Sequence, residues 1–239
     1  MTALERPGAR LEHRLTRPNA SLAELHAAVS LAVDSELGAL IVSPWLLRPA
    51  QRLLGRSRLI LGTVIGDGHG GQIGSVKAYE ASKALEHGAT QLDFVMNGGA
   101  LVSGDEQLVL DDMLSVIEMA HAALASAGVI IEVVPLSEDL VRRACRIAER
   151  AGADYVVTSC GDDPPDRAIS RSALLRDSLG PRLAVTAAGR FATADEVLAA
   201  ARAGAGRISS TMTKALVADA IAALAALDAT APMAALARR

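Results

Sequence analysis

Aromatic side chains are nearly absent. Two Phe, two Tyr and one Trp make up 2% of the 239 residues, so an interior has to be built from Ala, Val, Leu and Ile. There are only two cysteines, Cys145 and Cys160, too few for a disulfide framework. A reducing cytoplasm is therefore the expected setting. Lysine is scarce too: Lys77, Lys83 and Lys214 are all there are. Positive charge is not in excess, since the net charge is −3, and this argues against a nucleic-acid partner. A run of about 18 apolar residues is missing, so no membrane span is expected. The opening MTALERPGARLEHRL lacks the apolar core of a signal peptide. A GxGxxG after the first strand is also missing, and with it the main mark of a dinucleotide-binding open sheet.

What remains is a chain that is 51% apolar, which excludes disorder. Short β-branched runs alternate with Ala-rich amphipathic stretches. Strands are predicted at 39–43, 59–65, 91–97, 129–134, 154–159, 183–187 and 206–210, with a weaker one near 11–15. Continuously apolar strands suit a parallel sheet buried on both faces. Helices are predicted near 21–37, 76–88, 105–125, 137–151, 168–178, 193–203 and 211–227. Ser21 with Glu24 three residues on forms a capping box, and Ser137 and Thr193 stand at other helix starts. Gly152 and Gly204 stand just after helices, where a left-handed residue is needed. The repeat runs without a linker, so one domain over residues 1–239 is expected; an alternating pattern of this length closes as a barrel or opens as a doubly wound sheet, and the missing GxGxxG favours a single (β/α)8 barrel.

In such a barrel the chemistry lies at the carboxyl ends of the strands. Strand 3 ends in Gly66-Asp67-Gly68-His69-Gly70-Gly71. Strand 4 puts Asp93 and Asn97 on one side by the period of two. Strand 5 carries Glu132. Strand 6 gives Val157 and Ser159, then Cys160; strand 7 gives Thr186, then Gly189 and Arg190; strand 8 gives Ser209, Ser210 and Thr211.

These segments resemble the deoxyribose-phosphate aldolase family. LEHRLTRP at 11–18 is similar to the family's IDHTLLKP, and TVIG with VKAYEA at 63–81 to TVIGFPxG…VKxxEA. GATQLDFVMNGGALVSGD at 88–105 resembles GAxEIDMVINIGALKSGD. VIIEVVPLSEDLVRRACRIAERAGADYVVTS at 129–159 resembles VIIETxxLTxEEIxxACxxAxxAGADFVKTS, and VTAAGRFATADEVL at 185–198 resembles VKASGGIRTxEDAL. The resemblance implies a barrel and a class I aldolase. In that chemistry a strand-6 lysine forms a Schiff base, a strand-7 lysine beside it lowers its pKa, and a strand-4 carboxylate transfers protons. At the matching positions this chain has Val157, Thr186 and Asp93.

Asp93 is the expected proton-transfer group, with His69 and Asp67 brought to the mouth by a loop that departs from the family's Phe-Pro sequence. Asp67, His69, Asp93 and Glu132 could converge on a divalent metal, but D-x-H is a poor motif, and neither a metal nor a cofactor is expected. Glu132 matches a residue the family usually has, and a structural role is expected for it. Cys160 is expected to be inert, because nothing beside it activates a thiol. The family's phosphate-binding SGG and GTSS become Ala188-Gly189-Arg190 and Ser209-Ser210-Thr211-Met212 here. Arg190, Gly189, Ser209, Ser210, Ser159, Thr186, Asn97 and Arg14 are the candidate contacts to a small anionic or carbonyl substrate. Arg14 stands where the family has Thr.

Three functions stay open. One is a lyase, cyclase or isomerase working by acid–base catalysis without a Schiff base, in specialised metabolism. The second is an inactive homologue that binds a small ligand or serves as a scaffold. The third is deoxyribose-phosphate cleavage through a relocated lysine. A homodimer is one assembly open to the chain.

Overall fold

The computed structural model describes residues 7–131 and 136–236, with side chains to residue 229. Eight parallel strands close in sequence order: β1 (Leu11–Leu15), β2 (Ala39–Val42), β3 (Ile60–Ile65), β4 (Gln91–Val95), β5 (Ser126–Ile130), β6 (Tyr155–Val157), β7 (Ala184–Ala188) and β8 (Arg207–Ser210). Outside them lie α1 (Leu22–Asp34), α2 (Leu47–Leu54), α3 (Gly74–Glu86), α4 (Gly98–Val102), α5 (Glu106–Ala122), α6 (Glu138–Ala151), α7 (Pro165–Ser178), α8 (Ala194–Arg202) and α9 (Lys214–Leu236). The fold is a (β/α)8 barrel, as the alternating pattern predicts.

The local signals behave as their chemistry requires. Ser21 accepts from the Glu24 amide while the Glu24 carboxylate accepts from the Ser21 amide, so two orphan donors of α1 are satisfied together. Thr193 and Glu196 do the same for α8. Gly152 and Gly204 take φ of +80° and +98° behind α6 and α8.

Other boundaries move. The strand predicted at 129–134 forms at Ser126–Ile130, because the Ser126 amide bonds to the Thr90 carbonyl and Asp93 registers with Gly128. Small residues carry its first half, and they are invisible to a search for apolar runs. Glu132 therefore lies beyond the strand and outside the described residues. β4 ends at Val95, so Asn97 is not on the strand beside Asp93; its Oδ1 accepts from the Ala100 amide at 3.0 Å and caps α4. The helix over Leu47–Leu54 has no counterpart among the predicted ones: LRPAQRLL is short and interrupted by Pro49.

Two apolar layers result. The larger lies between sheet and helices, with Leu25, Leu40, Phe94, Met113, Val129 and Val185 among its members. The smaller fills the barrel itself with Ile41, Val64, Val95, Ile130, Val157 and Ala188. Inner and outer positions alternate along each strand.

Candidate active site

The barrel axis holds a polar column that its apolar lining sets in low dielectric. Asp93 projects inward from β4 and is 0% exposed. Its Oδ2 accepts from Arg14 Nη2 of β1 at 2.7 Å, and its Oδ1 from the Tyr155 hydroxyl of β6 at 2.6 Å. Arg14 also donates from Nε to Ser209 Oγ at 3.2 Å and from Nη1 to the Cys160 carbonyl at 3.3 Å. One level toward the amino ends of the strands, Arg207 pairs with Glu12 at 3.0 Å and donates to Gln91 Oε1 at 3.2 Å. Its guanidinium stacks on the Tyr155 ring 3.9 Å from the centroid. Two carboxylates face two guanidinium groups, so the buried charges balance. Balance of this kind is needed because an unpaired buried ion costs several kcal/mol.

Tyr155 fits because β5 has Gly128 opposite it: a Cβ there would lie 1.9 Å from the ring. Burial, and then the Asp93 charge, hold the phenol well above its ordinary pKa of 10.0, so it donates to Asp93 and stays protonated.

Val157 and Thr186 are register partners across β6 and β7, and both turn toward the axis. That wall is thus an isopropyl group beside a hydroxyl. Thr186 Oγ1 is buried and has no hydrogen-bond partner among the described residues.

Above this level the loops after β3 and β6 lie against Arg14 and Cys160. Gly161, at φ +109°, lies on Arg14; a Cβ there would come within 2.6 Å of Arg14 Cδ. Asp67 of the β3 loop reaches Cys160, and burial together with that carboxylate pushes the thiol up to about 12. The thiol stays protonated, as expected of an inert cysteine. His69 is exposed and its Nδ1 accepts from the Gly71 amide at 3.1 Å. Neither Asp67 nor His69 shares a hydrogen bond with Asp93, and among the described residues no three His, Cys, Asp or Glu come together to hold a metal.

The segments after β6, β7 and β8 satisfy one another. Gly189 N donates to the Ser209 carbonyl and Arg190 N to the Asp163 carbonyl, at 3.1 and 2.8 Å. Ser159 Oγ donates to the Ala188 carbonyl, Ser210 Oγ to the Phe191 carbonyl and Thr211 Oγ1 to the Arg14 carbonyl. His13 Nδ1 accepts from the Met212 amide at 3.1 Å, and burial pushes that imidazole down to about 4. The Arg190 side chain is exposed at this rim.

Lys77 is buried in the helix layer, where Nζ donates to the Val95 carbonyl and to Asp112 Oδ2, both at 2.7 Å. Burial pushes Lys77 down and Asp112 up, against the pull of their own ion pair. Lys83 pairs with Glu86 on the surface.

The structure thus joins Arg14, Asp93 and Ser209 and leaves His69, Asp67, Asn97 and Arg190 apart from them. Sequence reasoning missed Glu12, Gln91, Tyr155 and Arg207. A signal for them existed: each stands two residues before a recognised inward position, Arg14, Asp93, Val157 or Ser209.

Comparison with known proteins agrees with this architecture. The model of the DeoC/LacD family aldolases matches residues 8–205. Deoxyribose-phosphate aldolase of Thermococcus gammatolerans is 35% identical over 202 residues, 84% of this chain and 90% of that protein. The crystal structure of a putative deoxyribose-phosphate aldolase from Coccidioides immitis superposes with a TM-score of 0.80 at 27% identity, covering 88% of this chain and 84% of that one. The tetrameric deoxyribose phosphate aldolase of Aeropyrum pernix shares the fold, with a TM-score of 0.78 at 24% identity over 92% of both chains. The chain belongs to the DeoC/LacD family of aldolases.

Proposed function

We propose that this aldolase-family chain is a lyase for a small carbonyl substrate that works without a lysine Schiff base. Asp93 is the proton-transfer group and Arg14 the cation beside it. The observation that carries the reading is the register pair Val157 and Thr186, which puts no amine on the wall facing Asp93. Breaking a carbon–carbon bond next to a carbonyl leaves an electron pair that needs a sink. An iminium supplies one; a guanidinium hydrogen-bonded to the carbonyl oxygen supplies a weaker one. Arg14 has N–H groups beyond those given to Asp93, Ser209 and Cys160. In this scheme Asp93 accepts the proton of the β-hydroxyl as the bond breaks and returns it to the enolate carbon. Thr186 Oγ1, unpartnered, offers a further hydrogen bond to the substrate. Substrate reaches these groups when the Gly161 and Gly68 loops part, and Arg190 at the rim is placed for an anionic tail.

The test works without identifying the natural substrate. A panel of short aldehydes, ketones and 2-oxo acids in D2O is followed by proton NMR for loss of the α-hydrogens. Exchange in the native chain that disappears in Asp93→Asn is expected. Exchange that persists in Asp93→Asn, or none with any compound, contradicts the reading.

Two observations favour other readings. Lys77 is the one lysine among the three that is buried with a lowered pKa, as a relocated Schiff-base lysine requires. Exchange abolished by borohydride in the presence of acetaldehyde would select it. The internally bonded amides of Gly189 and Arg190 suit a non-catalytic relative that serves as a scaffold.

A further inference from the structure

Each oxygen of Asp93 has its own donor, Arg14 on Oδ2 and the Tyr155 hydroxyl on Oδ1. The Gln91 amide is 3.5 Å from the same Oδ1, too long to replace either. Asp93, Gly128 and Tyr155 are register partners on β4, β5 and β6. The phenol therefore crosses the place that a side chain on β5 would take, and a Cβ at Gly128 would lie 1.9 Å from its Cε2. The Arg207 guanidinium covers the ring and is itself anchored on Glu12 and Gln91. A tyrosine has only two side-chain torsions, and this cage holds the ring from two sides. Arg14 is the less committed donor, since its N–H groups are divided among Asp93, Ser209 and the Cys160 carbonyl.

We propose that Tyr155 is a positioning residue, whose hydroxyl keeps the Asp93 carboxylate aimed and hydrogen-bonded while Arg14 turns to the substrate carbonyl. The inference rests on the reading of Asp93 as the proton-transfer group. An aspartate carboxylate turns readily about its last torsion. One donor fixes one oxygen; donors on both oxygens fix the plane of the group. An oxyanion forming on the substrate competes with Asp93 for Arg14, and a buried carboxylate left without a donor is strongly disfavoured. Tyr155 meets both needs from the side away from the reaction. It is buried beneath Asp93 and acts through that residue, while Gly128 gives it room and Arg207 holds it down.

Two measurements test it, one of them independent of activity. A buried phenol donating to a carboxylate at 2.6 Å makes a charge-assisted bond, and its proton should resonate far downfield in the 1H NMR spectrum of the native chain. That resonance should be absent from Tyr155→Phe and displaced in Asp93→Asn. Its absence from the native chain would overturn the role of Tyr155. The second measurement is deuterium exchange with whichever compound of the carbonyl panel exchanges fastest. Tyr155→Phe removes one oxygen and leaves the ring between Gly128 and Arg207, so its circular dichroism should match the native chain. Its kcat should fall about tenfold or more with KM held within about twofold, because the carboxylate is loosened and substrate binding is not. Exchange that needs Asp93 but keeps its native kcat in Tyr155→Phe, or loses it only through a raised KM, would overturn the role of Tyr155 alone. Exchange that persists in Asp93→Asn would remove the reading of Asp93, and this role with it, even where the downfield proton is seen.

Discussion

Replacing Arg14 by methionine keeps most of its volume in the barrel and removes its charge. Asp93, at 0% exposure, then keeps only the Tyr155 hydroxyl and the long Gln91 contact. Ser209 Oγ and the Cys160 carbonyl lose their donor as well. Removing one partner of a buried ion pair costs about 3–5 kcal/mol, because the other charge is left in low dielectric. For a chain of this size that is a fall in Tm of about 6–20 °C. Far-UV circular dichroism in urea and on heating is the assay, since the single Trp, Trp45, is 55% exposed and reports poorly on the barrel. Asp93→Asn in the Arg14→Met background removes the stranded charge and should restore about 2 kcal/mol or more. A loss below about 1 kcal/mol, the size of a surface pair, would refute the reasoning. So would a double variant no more stable than Arg14→Met alone.

Three further outcomes follow from single contacts. His13 falls from 6.5 to about 4 on burial, so the stability it contributes is complete above pH 6.5 and is lost as pH falls through 4. The loss is about 3 kcal/mol, and urea midpoints for His13→Asn should be flatter over that window by this amount. Lys77→Met strands Asp112 and should cost about 3–5 kcal/mol by chemical denaturation, whereas Lys83→Met leaves the midpoint unchanged. Gly161→Ala forces φ +109° on a side chain and drives Cβ against an Arg14 held at both ends; a cost of about 1–3 kcal/mol in Tm scans is expected.

Much of the barrel was legible because its strands are continuous apolar runs and its helices carry caps that act locally. Ser21, Thr193 and Gly152 need only their own few neighbours to be read. β5 was misplaced by three residues because register, not apolar content, sets where a central strand begins. At the site, resemblance located Asp93, Val157 and Thr186. It did not reveal that Arg14 is turned onto Asp93 and is engaged inside the barrel instead of standing free at the mouth. Contacts between β1, β4 and β6 depend on barrel closure, which no local pattern encodes. Tyr155 was hidden for a simpler reason: one phenol oxygen separates it from the family's Phe, and only the position of Asp93 gives that oxygen a partner.

The central claim is that this chain does not hold its substrate on a lysine. The most direct measurement is intact-protein mass spectrometry after incubation with acetaldehyde and sodium borohydride, on the native chain and on a variant carrying Val157→Lys, Thr186→Lys and Arg14→Thr. The account predicts no reduced adduct at Lys77, beyond the slow background of the two surface lysines, and a site-specific adduct at residue 157 in the variant. Stoichiometric trapping on any lysine of the native chain would contradict it.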